Sequence, residues 1–315
     1  MEISNPHDAF FKEIFSRKEN AVDFICSTLP EDLKNNLDLS SLELDNNSYI
    51  DEELKENFSD IVYNCLYRGK SRIKISLLFE HKSYVVNYPH LQILRYMLKI
   101  WQTNIKQKEG LVPIIPIVFY HGKERWLLRE LSSYFEGIDE ILRRFLPGFD
   151  YLLTDLSGYS DEDLKERIFL NLSLRIFCLL MKNIFDEEKL KGHLGEFLEV
   201  GKIYYEEEKG LRFLEGVIRY IYNSTEIKPE EVIEIAKRIS ARGGEVAMTT
   251  AVRLRDEGLQ QGLQQGLQQG LQQGIYSKAT ETAKSMFRKG FSLEIIAEIT
   301  GLPEEDLKRL INEKD

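Results

Sequence analysis

Apolar and polar positions alternate with different periods along this chain, and the pattern changes near residue 160. Before that point, apolar residues at helical spacing predict one helix over 6–28, ended by Pro30, and a second over 89–107. Apolar runs predict strands over 41–50, 58–68, 71–83, 112–120 and 149–155, with a short helix at 138–145. This order indicates an α/β fold in which a mixed sheet is flanked by helices.

Beyond residue 160 the apolar spacing predicts only helices, over 161–186, 187–199, 203–223 and 229–241. Residues 258–274 repeat Gly-Leu-Gln-Gln, and a glycine in every repeat favours a low-complexity linker with partial helix, with a dedicated interaction motif as the alternative. A compact helical tail follows, with Ser292 as an N-cap and a turn at Gly301. We therefore divide the chain into a core (1–157), a helical extension (158–257), a repeat linker (258–274) and a tail (275–315).

The two alternating runs at 58–68 and 71–83 flank a turn and predict a β-hairpin. Their apolar faces meet only if the paired positions share a parity, because a slip of one residue turns a strand over. A three-residue loop at Gly69–Ser71 places Asp60 opposite Glu80. Glu80 and Lys82 are two apart and point the same way. Asp60, Glu80 and Lys82 are therefore predicted to converge.

Two carboxylates that face each other repel, and a divalent ion relieves that repulsion. Oxygen ligands with an open coordination sphere suit Mg²⁺, or Mn²⁺. Such an ion lowers the pKa of a coordinated water and stabilises charge on a phosphate. Lys82 could orient that water or neutralise charge in the transition state. The alternative is a solvated strand face that carries an ordinary ion pair.

Composition limits how the chain could meet a nucleic acid. The formal net charge is -10, so contact with DNA must come from a local basic surface or from metal ions. Three cysteines without a C-x-x-C pair make a disulfide framework unlikely to be the organising feature and fit a reducing cytosol. The N-terminus has no apolar signal region, and the longest apolar run, 111–120, is too short to span a bilayer. We expect a cytoplasmic protein with no membrane partner.

Six segments together resemble the Rpn family of recombination-promoting nucleases, which belongs to the PD-(D/E)XK nuclease superfamily. They are N-P-H-D-A-F-F-K (5–12), E-N-F-S-D-I-V-Y (56–63), L-L-F-E-H-K-S (77–83), L-Q-I-L-R-Y-M-L-K-I-W (91–101), P-I-I-P-I-V-F-Y-H-G (113–122) and F-R-K-G-F-S-L-E-I-I-A-E-I-T-G-L (287–302). The resemblance covers most of the chain. It implies a restriction-endonuclease-like core with a helical C-terminal extension.

The resemblance also implies roles for individual residues. Asp60 matches the metal-binding aspartate, and Glu80 and Lys82 match the E-x-K pair of the next strand. Gln92 matches a glutamine that faces the site in the superfamily; an exposed helical glutamine is the alternative. The superfamily often has an acidic residue near the metal on its first helix, for which Asp8 and Glu13 are both candidates.

Four residues within these segments have ordinary explanations beside their functional ones. His7 matches the N-terminal signature, although a structural histidine is the simpler interpretation, and Asp8 could serve as a helix N-cap instead. Arg95 and Lys99, on the predicted helix 89–107, could contact a DNA backbone, or lie on a solvated helix face.

These features favour a Mg²⁺-dependent DNA endonuclease that acts in recombination or transposition-like cutting. The alternative is a non-catalytic DNA-binding or regulatory interaction protein on a nuclease fold, for example in a defence system. The tail resembles a helix-turn-helix, but its last helix carries more acids than bases, which suits protein contact better than a DNA groove. A homo-oligomer through the helical C-terminal region is one arrangement that this tail allows.

Overall fold

A computed structural model describes residues 5–45, 58–80 and 87–312, with the backbone alone described for 58–60, 78–80 and 311–312. No helix in these ranges is both long enough and apolar enough to cross a membrane.

The first predicted helix is two helices, so the prediction of one helix over 6–28 is wrong. α1 spans Pro6–Phe15 and α2 spans Lys18–Thr28. The Ser16 hydroxyl donates to the carbonyl of Lys12 at 2.5 Å, and the Asn20 amide donates to the carbonyl of Ile14 at 2.9 Å. These side chains satisfy carbonyls of the last turn of α1 and so end the helix there. A short helix, α3 (Glu31–Lys34), follows.

Five strands in the described residues form one sheet in sequence order: β1 (Leu37–Leu44), β2 (Phe58–Tyr67), β3 (Ser71–Glu80), β4 (Ile114–Tyr120) and β5 (Leu152–Asp155). β1, β2 and β3 pair antiparallel, whereas β3, β4 and β5 pair parallel. The helix α4 (Pro89–Lys106), predicted over 89–107, connects β3 to β4. The last residues of the three parallel strands lie side by side, since Glu80 pairs with Tyr120 and Tyr120 with Asp155. We call this end of the sheet the carboxyl edge.

The predicted hairpin of β2 and β3 is confirmed, but its predicted register is wrong by two residues. Tyr67 pairs with Ser71, so the loop is Arg68–Lys70 and Asp60 pairs with Leu78 instead of Glu80. Both registers bring the apolar faces together, because a shift of two residues keeps the parity. The loop decides between them: Arg68 and Gly69 have φ of 51° and 65°, a left-handed turn in which glycine is at ease.

The C-terminal half is helical, as predicted, with more breaks than the pattern indicates. Its helices are α5 (Glu140–Arg143), α6 (Asp161–Glu166), α7 (Leu172–Asn183), α8 (Glu187–Glu199), α9 (Glu208–Ser224), α10 (Pro229–Ile239), α11 (Ala241–Arg288), α12 (Leu293–Thr300) and α13 (Glu304–Asn312). The helix predicted over 161–186 is α6 plus α7. Contacts divide the chain into unit 1, residues 1–250, and unit 2, residues 251–315. The four-part division drawn from composition stays a prediction.

The sheet of unit 1 is covered on both faces. On one face, Tyr63, Ile75 and Phe119 belong to a core that continues through α1, α2 and α7 to α11. On the other face, Val62 and Val118 pack with the buried side of α4. Because both faces are buried, the central strand β4 is a continuous apolar run.

In unit 2, α12 and α13 pack on the last turns of α11 through four buried residues: Ala283, Ile296, Leu302 and Leu307. Gly301 adopts a left-handed φ of 69° at the end of α12, which confirms the predicted turn. The repeat 258–274 lies within α11 and is helical throughout, more than the partial helix that its composition predicts. Each of its five glycines costs about 1 kcal/mol relative to alanine in a helix.

Candidate active site at the carboxyl edge

The predicted acidic pair lies on the strands at the carboxyl edge. Glu80 is the last residue of β3 and pairs with Phe58 of β2, and Asp60 is two residues further along β2. Asp60 and Glu80 are therefore diagonal neighbours and not direct partners. Their side chains and the whole of Lys82 lie outside the described residues, so the meeting of the three side chains stays a prediction.

The neighbouring strand brings a histidine to the same edge. His121 directly follows Tyr120, the β4 partner of Glu80, and is almost fully buried. One of its ring nitrogens, Nδ1, lies 3.2 Å from the carbonyl of Met181 in α7. Gly122 comes next, where a Cβ atom would overlap the Tyr120 ring, so only glycine fits. Gly122 thus lets the chain pass close to the Tyr120 ring directly after His121.

The first turn of α1 reaches the carboxyl edge through His7. Its ring centroid lies 5.4 Å from that of His121, and its Nδ1 is 2.8 Å from the hydroxyl of Tyr220 in α9. Burial holds the pKa of Tyr220 well above its ordinary value, so this hydroxyl keeps its proton. The helical extension therefore fixes the orientation of a residue at the edge of the sheet.

Of the two acidic candidates on α1, Asp8 lies nearer to this edge. One oxygen of Asp8 binds Lys12 at 3.1 Å, and among the described residues no donor reaches the other, which is buried. Asp8 is not the N-cap that we considered, because the side chain of Asn5 accepts the hydrogen bond from the backbone of His7. Asp8 is thus free of the capping role, and it directly follows His7 in α1.

Glu13 is the other candidate, and it packs against α9. A Cβ atom on Gly216 would lie within 2.9 Å of the Glu13 carboxyl group. Burial raises the pKa of Glu13, against the opposing charges of Arg219 and Arg17. The contacts of Glu13 are therefore structural, and Asp8 is the better placed acid.

The start of α4 contributes two further polar side chains. Gln92 is half-buried, and in the described part of the chain its Oε1 is buried without a donor. His90 is buried against Tyr151, with ring centroids 5.1 Å apart, and burial lowers its pKa against the opposing charge of Asp150. A neutral His90 therefore packs beneath the helix start from which Gln92 extends.

The predicted DNA-contact residues lie further along α4. Arg95 is exposed and Lys99 is half-buried. Both side chains interact with other groups of the protein, so neither is without a partner. Their role toward DNA is untested by the geometry and stays a prediction.

Tyr220 is the residue that reasoning from the sequence missed. It stands in the apolar stripe of α9, 213 positions from His7. Its signal is weak: a tyrosine on the buried face of a helix needs a partner for its hydroxyl, but nothing in the pattern names His7 as that partner.

The described side chains offer no rival metal centre. Within them, no group of three or more His, Cys, Asp or Glu residues could hold a metal ion. A cleft of about 340 Å³ does open beside the start of β3, at the other end of the sheet. Its buried Lys74 forms an ion pair with Asp45, which satisfies both charges within the fold.

Fold and edge together define a class: an α/β protein with two acidic positions, Asp60 and Glu80, on neighbouring strands at the carboxyl edge of its sheet. The chain belongs to the family described as "Putative transposase, YhgA-like", whose sequence model matches residues 5–212. It is 26% identical to recombination-promoting nuclease RpnA of Escherichia coli K12 across 97% of both chains. It is 27% identical to RpnC of that strain, with 98% of both chains covered. The inactive recombination-promoting nuclease-like protein RpnE is also 27% identical, over 96% of this chain and 97% of its own. No solved structure matches the chain. These relatives confirm the resemblance to the Rpn family.

Proposed function

We propose that this chain is a Mg²⁺-dependent DNA endonuclease that hydrolyses phosphodiester bonds on a PD-(D/E)XK core, in recombination or transposition-like cutting. Membership of the family and the names of its full-length relatives support a nuclease. The observation that carries the proposal is the diagonal placement of Asp60 and Glu80 at the carboxyl edge. Pleating gives diagonal neighbours of this parity the same face of the sheet.

A divalent ion fits this pair of donors. Diagonal neighbours on a sheet have Cβ atoms about 7–8 Å apart, so an aspartate and a glutamate can each extend one oxygen to an ion between them. Diagonal positions on a sheet are farther apart than directly paired ones, which lie about 5 Å apart. When bound, Mg²⁺ or Mn²⁺ would lower the pKa of a water and stabilise charge on the scissile phosphate.

The remaining residues of the proposed site bind, orient or neutralise. Lys82 would hold the attacking water or balance charge on the phosphate in the transition state. The buried oxygen of Gln92, which no described donor reaches, would accept a hydrogen bond from a water in the site. Asp8 would add a third carboxylate from α1, and Tyr220 would keep His7 in place beside it.

DNA would be held by local charge, because the whole chain carries a net charge of -10. Arg95 and Lys99 lie on the helix that follows the predicted site and would bind phosphates on either side of the cut. Such binding should weaken strongly as salt rises, since each phosphate contact releases counterions.

A second function has one specific observation in its favour. The full-length relative RpnE, as similar to this chain as RpnC, is named inactive. A chain of this family could therefore bind DNA, or regulate a partner, without cutting. Asp60, Glu80 and Lys82 are all present here, which favours the endonuclease.

The test is nicking of supercoiled plasmid with Mg²⁺, with Mn²⁺ and with EDTA, for wild type and for Asp60→Asn, Glu80→Gln and Lys82→Ala. We expect each change to lower the rate roughly 10³-fold or more, as loss of a group that stabilises transition-state charge does. Glu43→Gln, at the other end of the sheet, should cut like wild type. Equal rates in EDTA, or a fully active Asp60→Asn, would show that the proposed site is wrong. DNA binding in a gel shift without any cutting by wild type would favour the second function.

A further inference from the structure

A series of aromatic side chains in contact leads from the carboxyl edge toward the surface of unit 1. The ring centroid of Tyr120, the β4 partner of Glu80, lies 5.1 Å from that of Trp126. The backbone N–H of Trp126 donates to the carboxylate of Asp155, the last residue of β5, at 2.8 Å. Its indole N–H lies 3.1 Å from the hydroxyl of Tyr151. The three aromatic side chains are buried, so this end of the series is fixed to the edge of the sheet.

The other end of the series is exposed. The ring of His90 lies 5.1 Å from that of Tyr151 and 5.8 Å from that of Tyr134, between centroids. Tyr134 in turn meets Tyr88 edge to face at 5.3 Å. Tyr134 is half-buried, whereas Tyr88, the residue directly before α4, is 55% exposed. We call Tyr88 and Tyr134 the tyrosine pair: two rings at the surface that buried neighbours hold in place.

The tyrosine pair lies beside a basic stretch of the chain. Residues 87–129 carry seven lysines and arginines against two acids, a net charge of +5 in a chain whose total is -10. Six of these seven bases are exposed, and Lys99 is half-buried. This stretch is therefore a local basic surface of the kind that attracts the phosphates of a nucleic acid.

We propose that the tyrosine pair stacks on an unpaired base of the substrate, so that the site prefers DNA with open or unpaired bases beside the cut to intact duplex. The inference rests on the proposed function for DNA as the substrate. A base inside a duplex is covered on both faces by its neighbours, so only a base that has left the stack can pack on a tyrosine ring. Such stacking is worth roughly a 5- to 150-fold change in affinity per base and tolerates any sequence.

The position of the pair suits a base next to the scissile phosphate. Tyr88 precedes Gln92 by four residues, about one helical turn, so both lie at the start of α4, which follows the carboxyl edge. An acidic protein would also match the charge of residues 87–129. Its carboxylates, however, offer nothing to a pair of exposed rings, whereas every nucleobase offers a flat aromatic face.

The test is binding of fluorescein-labelled oligonucleotides to the full-length chain, measured by anisotropy in EDTA so that nothing is cut. The probes are a short duplex, the same duplex with a central bubble of unpaired bases, and a single strand of the same sequence. For wild type we expect the bubble and the single strand to bind at least ~10-fold more tightly than the duplex. Tyr88→Ala should reduce that preference at least ~5-fold and leave affinity for the duplex within about twofold.

Two variants control for the loss of the ring. Tyr88→Phe keeps the ring and should keep the preference of wild type. Tyr276→Ala removes a similarly exposed tyrosine, 51% exposed, from unit 2 and should also leave the preference unchanged. Both positions are exposed, so neither change should disturb folding.

A fluorescent base reports stacking directly. With 2-aminopurine in the bubble, binding of wild type should quench its fluorescence as the base packs on tyrosine, and Tyr88→Ala should lose that quenching. A wild type that binds the intact duplex as tightly as the bubble, or a Tyr88→Ala variant that keeps the preference, would overturn the inference. The two proposals fail separately. A wild type that shows the preference but never nicks plasmid would contradict the endonuclease alone, and one that nicks without any preference would contradict stacking alone.

Discussion

Unit 1 and unit 2 are both rich in helix, but they bury very different shares of their apolar residues. In unit 1 one core runs from Phe10 to Ala247 on one face of the sheet, and a second core packs α4 on the other face. In unit 2 four buried residues hold α12 and α13 to α11, and the leucines of the repeat 258–274 are exposed. Burial of apolar surface is the main source of folding stability. The two cores of unit 1 therefore account for the stability of its fold. Unit 2 has a much smaller core, and most of α11 within it is exposed.

The largest expected effect contrasts one phenylalanine in each unit. Phe177 is fully buried, with the rings of Phe10, Phe15 and Phe119 within 5.6 Å, and Phe177→Ala should cost about 3–5 kcal/mol. Phe287 in unit 2 is 45% exposed, and Phe287→Ala should cost less than about 0.5 kcal/mol.

Urea denaturation measures both changes. The two tryptophans, Trp101 and Trp126, are in unit 1, so their fluorescence follows that unit alone while circular dichroism follows both. Similar losses of unfolding free energy in the two variants would contradict the difference in burial between the units.

A smaller effect tests how closely the helices of unit 1 approach. Gly216 of α9 faces Glu13 of α1, and Gly216→Ala should destabilise unit 1 by about 1–3 kcal/mol, because the new methyl group forces the helices apart. Gly195 of α8 has only Ile235 at 3.9 Å, so Gly195→Ala should instead stabilise by up to about 1 kcal/mol. Thermal melts should show a lower melting temperature for Gly216→Ala and a higher one for Gly195→Ala. An unchanged melting temperature for Gly216→Ala would mean that α1 and α9 can move apart without loss of stability.

The smallest expected effect is a loss of folding stability at low pH. Burial alone would raise the pKa of Asp161, but hydrogen bonds from Lys182, Lys189 and Asn183 outweigh it and lower the pKa to about 2. The folded pKa lies below the ordinary value of 3.8, so the stabilisation is complete above about pH 4 and is lost as the pH falls toward 2. We expect on the order of 1–2 kcal/mol to disappear from unit 1 in this window.

Asp161→Asn should remove that pH dependence while lowering stability at neutral pH. Tryptophan fluorescence against urea, repeated at pH 5, 4 and 3, is the measurement. An unchanged slope with pH in the variant would mean that another carboxylate carries the effect.

Much of the fold could be predicted because unit 1 buries regular patterns. The alternation on β2 and β3 gave the correct faces, and the spacing on α4 gave the helix almost to the residue. The register could not be decided in this way, since a shift of two residues leaves every face unchanged and the turn at Arg68 and Gly69 makes the choice. The break after α1 depends on Ser16 and Asn20, whose hydrogen bonds to the backbone leave no trace in apolar spacing.

The site could be predicted only where it is local in the chain. Parity alone places Asp60 and Glu80 on one face, and their separation along the hairpin is short. The contact between His7 and Tyr220 has no such signal, because it depends on the packing of α1 against α9. Gln92 is an intermediate case. The helix that carries it could be predicted from the apolar spacing, but the burial of its side-chain oxygen depends on the elements that pack around α4.

The packing of α1 against α9 also sets an order of events during synthesis. α1 leaves the ribosome first, yet Tyr220, the partner of His7, is made 213 residues later. Until then the aromatic side chains of α1 have no α9 to cover them, and the edge of the sheet beside Glu80 is incomplete. A chain that ends before α9 therefore lacks both the hydroxyl that contacts His7 and the ring that stacks on Phe10. The contact that orients His7 can therefore form only after α9 has been synthesised.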